Sequence, residues 1–236
     1  MPSLEERVAY LERLIHPAAG RRRFRSTTLV LALLALAYLR AQGSGWEPDI
    51  RAFEAQDRKN PPPQHEIVFV GSSSIVLWNL PEYFPNLKTI NRGFGGSELA
   101  DSVQYADRIV VPYKPRIVVL YAGDNDIAGG TSPERVASNF EQFVRKVQGP
   151  LPQTRIIVIS IKPSLLRWSV FDQMQSANAM IRAYCSKHPG LTFVDVGPLM
   201  LGANGKPRPG LFVSDGLHMT PAGYKIWTAA VLPFLK

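Results

Sequence analysis

The densest apolar runs in this chain are short, rich in β-branched residues, and closed by glycine or a polar residue. Ile67 to Val70 stops at Gly71. Arg116 to Tyr121 (RIVVLY), Arg155 to Ile161 (RIIVISI) and Leu191 to Val196 (LTFVDV) have the same character, and Leu87 to Asn91 is a shorter candidate. Unbroken runs of this kind predict strands buried on both faces of a parallel sheet. Between them, apolar residues recur at helical spacing. The helices predicted are Glu47 to Lys59, Ser97 to Val111, Pro133 to Val147, Phe171 to His188 and Pro221 to Leu235. Proline near the start of several, and Asn60 with Pro61 to Pro63 or Pro189-Gly190 after the end of others, are start and stop signals. Five strands interleaved with helices imply an α/β domain whose sheet is covered on both sides.

Residues 1–45 follow another pattern, so the chain divides into an N-terminal extension (1–45) and a domain (46–236). Ser3 with Glu6 has the form of a capping box, and Leu4, Val8, Leu11 and Ile15 form one helical face. His16-Pro17 ends that helix. A basic cluster, RRRFR, precedes Leu29 to Leu39, eleven residues without a charge. Positive residues before an apolar core resemble a signal peptide or short signal anchor. Extension from Ser26 through Gln42 only just reaches the minimum span of roughly seventeen residues. The expectation is membrane association through residues 27–41. The charge bias would place the domain on the non-cytoplasmic side, anchored or exported. A hydrophobic helix packed on the domain is the competing reading.

Composition adds boundaries. The chain has 236 residues, enough for one large domain with an appendage, and 45% of them are hydrophobic. A single cysteine, Cys185, excludes an internal disulfide framework and any multi-cysteine metal site. The formal charge is +8, but four arginines (Arg21, Arg22, Arg23, Arg25) sit in the extension. No base-stacking or groove-reading motif accompanies the charge, so no nucleic-acid partner is expected.

The candidate chemistry lies just after the predicted strands, where open α/β sheets place their ligands. Ser72, Ser73 and Ser74 follow Gly71. By itself such a run also suits a turn and an N-cap. A hydrolytic serine needs a base, an orienting acid and donors for an oxyanion. Of four histidines, His16, His65 and His188 read as surface or cap residues. His218 stands in SDGLHMTPAGY, three residues after Asp215. That spacing, in a loop entering a helix, can bring the carboxylate to the imidazole and fix its tautomer. Asn91 to Ser97 (NRGFGGS) follows the second strand, and its glycines let backbone N–H groups approach an anion. It lacks the third glycine of a dinucleotide fingerprint. Asn125, between Asp124 and Asp126 in a glycine-bounded loop after the third strand, offers a side-chain oxyanion donor. Those aspartates lack the alternation of a calcium loop. Trp78, Tyr121, Trp168 and Phe171 read more readily as core than as pocket lining.

Together these segments resemble the SGNH hydrolase superfamily, the GDSL-like lipases and acylhydrolases, from about Glu47 onward. FVGSSSIVLW resembles its first block with Ser73 as nucleophile, and NRGFGGS its second with Gly96 as oxyanion glycine. GDND resembles the third, with Asn125 as oxyanion asparagine, and DGLH the last, with Asp215 and His218. Ser72 stands where the family usually has aspartate, and the serine run leaves Ser74 as an alternative nucleophile. The resemblance implies a three-layer α/β/α, flavodoxin-like sheet of five parallel strands and a Ser-His-Asp esterase needing no metal or organic cofactor. The substrate implied is a small-molecule, carbohydrate or lipid ester. Two other functions fit the same residues: an O-acyltransferase acting on envelope carbohydrate, and a non-catalytic binding domain. Oligomeric state is not legible.

Overall fold

A computed structural model of the chain describes residues 45–236. The helix, basic cluster and apolar segment expected before residue 45 lie outside the described residues, and the expected boundary at 45/46 falls at their start. The chain divides into two compact units at Ala52–Phe53, and the sheet and candidate site belong to Phe53–Lys236. Among the described residues, no helix is long and apolar enough to cross a membrane.

Helix α1, Glu47–Lys59, has the bounds its prolines predicted. The strands are β1 (Ile67–Gly71), β2 (Thr89–Gly93), β3 (Ile117–Tyr121), β4 (Arg155–Ile159) and β5 (Leu191–Val194). All pair in parallel, in the order β2-β1-β3-β4-β5. This is the flavodoxin-like order, with its switch point between β1 and β3. Strand β2 begins two residues later than Leu87, because its ladder with β1 pairs Ile67 with Thr89 and Gly71 with Gly93. Strand β5 ends at Val194, since its partner β4 ends at Ile159.

Alternate residues of the strands face opposite layers. Ile67, Phe69, Ile117, Val119, Tyr121, Ile157 and Ile159 share one core with Trp78, Phe84 and Trp227. Trp227 comes from α9, Pro221–Val231, which closes the chain in place of the longer helix predicted to Leu235. Residues 232–234 tighten into a 3₁₀ turn. The Trp227 ring lies 4.6 Å from Tyr121 and 5.6 Å from Trp78, centroid to centroid, which ties α9 to β3 and to the segment after β1. The other face, Val68, Val70, Val118, Leu120, Ile156 and Val158, is equally buried. That side is covered by three helices packed on one another: α4 (Leu99–Ile109), α6 (Pro133–Gln148) and α7 (Phe171–Cys185).

Register brings the site segments to one level. Gly71 pairs with Gly93 on one side and Tyr121 on the other, so β1, β2 and β3 end together. The ladder continues past the strands, with Ser72 N–H donating to Tyr121 O at 3.0 Å and Phe94 N–H to Gly71 O at 2.9 Å. Gly71 is required there. Its φ is +137°, and a Cβ would sit 1.8 Å from the Tyr121 carbonyl oxygen.

Candidate active site

Beyond Gly71 the chain turns straight into a single helical turn, α2, Ser73–Val76, with extended Ser72 as its N-cap. The three serines separate by direction. Ser72 and Ser74 are 1% and 2% exposed, while Ser73 points outward at the rim. The Ser73 N–H lies in the first turn of α2, where helical geometry supplies no acceptor. Ser73 Oγ is 2.9 Å from His218 Nε2.

His218 is presented by a tight turn. Val213 N–H donates to His218 O and Gly216 N–H to Val213 O, both at 2.9 Å. Asp215 Oδ1 accepts the Leu217 and His218 amides at 2.8 and 2.9 Å, and its Oδ2 meets His218 Nδ1 at 2.5 Å. A carboxylate is an acceptor only, so this contact puts the proton on Nδ1 and leaves the Nε2 lone pair facing the Ser73 hydroxyl. Partial burial would raise the Asp215 carboxyl. The His218 side chain and the two amides overcome that and hold it below the usual carboxylate range.

The loop after β2 lies beside the serine. A Cβ built on Gly95 would be 4.0 Å from the Ser73 Cβ. Gly96 has φ +79°, a left-handed conformation that turns the chain back toward α4. That helix begins at Leu99 rather than Ser97, because Glu98 caps it. Glu98 N–H donates to Asp101 Oδ2 at 2.8 Å, and the Glu98 side chain accepts in return from the Asp101 amide.

The GDND segment folds into a helical turn, α5, Asp124–Ala128, where a loop was expected. All three polar residues are buried, each with a separate partner. Asn125 Nδ2 donates to Ser97 O at 2.8 Å, joining the amide to the Gly96 loop. Asp126 accepts the Leu99 amide on both oxygens, at 3.0 and 3.1 Å. Burial, with the Glu98 and Asp124 charges adding to it, pushes this carboxyl up to about 7. Asp124 meets Lys162 at 3.2 Å and Arg167 at 3.0 Å. Burial alone would raise Asp124, but these two cations hold it below its usual range. Lys162 is itself fully buried, with its ammonium 3.2 Å from the Tyr121 hydroxyl, and burial draws its pKa down.

Ser73, His218 and Asp215 are thus joined by hydrogen bonds, and Asn125 on α5 is anchored to the Gly96 loop beside them. His188 caps a helix end as expected, its Nδ1 2.8 Å from Tyr184 O. Trp78 and Tyr121 are core, while Trp168 stacks on Phe171 at 5.0 Å, and Phe171 lines a groove of about 490 Å³ with Arg182, Asp195 and Leu201. That groove includes none of the five residues above. Sequence reasoning missed Lys162 and Arg167. The available signal was a lysine placed directly after the buried run RIIVISI.

The profile of the GDSL-like Lipase/Acylhydrolase family matches residues 75–226. The chain belongs to that family. The match starts two residues beyond Ser73, so the placement of the serine rests on the geometry above. The chain is 27% identical over 197 residues to platelet-activating factor acetylhydrolase IB subunit alpha1 of Homo sapiens, a match covering 78% of this chain and 80% of that protein. A GDSL-like lipase from Bacteroides thetaiotaomicron superposes with a TM-score of 0.69 at 24% identity, covering 79% of this chain and 96% of that one. A catalytic mutant of an acetylxylan esterase from Geobacillus stearothermophilus gives 0.59 at 16%, covering 73% and 95%. These two share the fold: a five-stranded parallel sheet between helices.

Proposed function

We propose that this protein is a serine esterase that cleaves carboxylic esters through Ser73, His218 and Asp215. The observation carrying this reading is the unbroken relay, 2.9 Å from Ser73 Oγ to His218 Nε2 and 2.5 Å from His218 Nδ1 to Asp215 Oδ2. Both lengths fall within the reach required of a nucleophile, a base and its orienting acid.

The chemistry follows from the atoms. Ser73 Oγ attacks the ester carbonyl carbon as His218 Nε2 takes its proton. The carbonyl oxygen becomes an oxyanion facing the Ser73 and Gly96 N–H groups and the Asn125 amide. Asp215 stabilises the imidazolium. His218 then protonates the departing alcohol as the ester C–O bond breaks, leaving an acyl group on Ser73. Water, deprotonated by the same nitrogen, releases the acid and restores the serine. Every proton removed is returned, and the residues named supply each step.

The acetyl group in the relative's name makes acetate the first acyl group to test. A panel of p-nitrophenyl esters from acetate to palmitate, with acetylated sugars, reads chain length and alcohol. Product analysis with an acceptor sugar distinguishes water from a sugar hydroxyl as the acyl acceptor. The deciding experiment is labelling with a fluorophosphonate probe. One adduct is expected on Ser73, retained in Ser74→Ala and lost in Ser73→Ala. An adduct that persists in Ser73→Ala, or wild-type turnover in that variant, removes the assignment.

A further inference from the structure

An asparagine side chain serves an oxyanion only with its nitrogen end toward it. The two ends of the amide are nearly equal in shape, so something must hold the orientation. At Asn125 that grip is visible on both ends. Arg167 Nη2 donates to Asn125 Oδ1 at 2.8 Å, and Asn125 Nδ2 donates to Ser97 O at 2.8 Å. A half-turn of the amide would set an oxygen against the Ser97 carbonyl and an NH₂ against a guanidinium. Only one orientation satisfies both partners. It uses one N–H of the amide and leaves the second without a partner among the described residues.

We infer that Arg167 is a positioning residue for the esterase reaction, orienting Asn125 as an oxyanion donor and polarising its amide. The inference rests on the function proposed above. A cation on the amide oxygen draws electron density from the nitrogen and strengthens the remaining N–H as a donor. Arg167 is held in turn. Its Nη1 stands 3.0 Å from Asp124 Oδ2, and the same oxygen meets Lys162 at 3.2 Å. Asp124 thus fixes the Arg167 guanidinium, and with it a positive charge, beside the place where negative charge develops. A preorganised charge acts without reorganising during the reaction.

The backbone carrying Arg167 is also tied to the base. Leu166 N–H donates to Gly216 O at 3.0 Å, within the turn that holds Asp215 and His218, and Arg167 N–H donates to Ser164 Oγ at 3.3 Å. The segment after β4 therefore spans from the oxyanion donor to the general base. Arg167 lies 42 residues from Asn125, beyond any local pattern.

A double-mutant cycle with Asn125 tests this, using p-nitrophenyl acetate and the full chain. Arg167→Ala is expected to lower kcat about 10- to 100-fold, a fraction of the hundred- to thousandfold attached to losing an oxyanion donor outright. KM should move no more than about threefold, because the interaction belongs to the transition state. In an Asn125→Ala background the same substitution should change kcat less than about threefold. Millimolar guanidinium should restore part of the kcat of Arg167→Ala and none in the double variant. Arg167→Lys keeps a cation for Asp124 and guards against loss of the fold. Its kcat should also be low, since one ammonium lacks the planar fork that serves Asn125 and Asp124 together.

Equal losses from Arg167→Ala in both backgrounds would overturn the inference while leaving the esterase reading intact. A loss confined to KM would do the same and make Arg167 a substrate contact, and wild-type kcat in Arg167→Lys would remove the need for the fork. Unchanged kcat in Asn125→Ala would instead remove the oxyanion role of Asn125, and the positioning role with it.

Discussion

Asp126 should make this fold lose stability as the pH rises from acid to neutral, opposite to the usual behaviour of a paired carboxylate. Its side chain is 0% exposed and faces the Leu99 amide at the start of α4. The carboxyl is pushed up to about 7 from a reference of 3.8, chiefly by burial. A folded-state pKa above the unfolded one means the native chain holds a proton that the unfolded chain has released. Between the two values the unfolding free energy falls by about 1.36 kcal/mol per pH unit, and above pH 7 the loss is complete. From pH 5 to pH 8 this amounts to roughly two units, or about 3 kcal/mol, against a typical total of 5–15 kcal/mol for a domain. Asp126→Asn keeps an acceptor for Leu99 and cannot ionise. It leaves a buried NH₂ to satisfy, a cost of about 1–3 kcal/mol that does not vary with pH. The assay is urea denaturation of both proteins from pH 5 to 8, reading the difference in unfolding free energy at each pH. That difference should move in favour of Asp126→Asn by about 3 kcal/mol across the range. Other titrating groups are common to both proteins and cancel. A difference independent of pH would refute the reasoning and show that Asp126 stays ionised when buried.

The remaining expectations are read by steady-state kinetics or melting. His218→Ala should lower turnover on the order of a millionfold, and Asp215→Ala by about ten-thousandfold, since the imidazole keeps its contact with Ser73 after losing its orienting acid. Asn125→Ala should lower kcat by about a hundred- to a thousandfold. Trp227→Ala empties the layer between α9 and the sheet and should cost about 3–5 kcal/mol in chemical denaturation, without changing the pH profile of the remaining folded enzyme.

Local physics was enough for much of this protein. Runs such as the IVVLY of RIVVLY have no polar face to turn to water, and their shortness and β-branched residues mark them as interior strands. Prolines at 48, 133 and 221 mark helix starts because a missing N–H is harmless there. The pairing of Asp215 with His218 was legible because a three-residue separation lets one tight turn make the contact. The order of the strands came only from the family resemblance, since each run is apolar on both faces and by itself could pair with several others. The choice of Ser73 over Ser74 rested on the family resemblance alone, because a run of three serines carries no mark of direction. Which hydroxyl faces the imidazole depends on how the chain turns beyond Gly71, where the Ser72 N–H bonds the Tyr121 carbonyl of the neighbouring strand. Asn125 was legible as a candidate oxyanion donor, but the burial of Asp124, Asn125 and Asp126 was not, because three adjacent polar residues usually seek water. Here each is buried against a partner supplied from far along the chain: Arg167 and Lys162, Ser97, and Leu99. Electrostatic and hydrogen-bond energies depend on distance in space, and sequence separation carries no record of it, so only the folded sheet could bring those partners within 3 Å or so of one another.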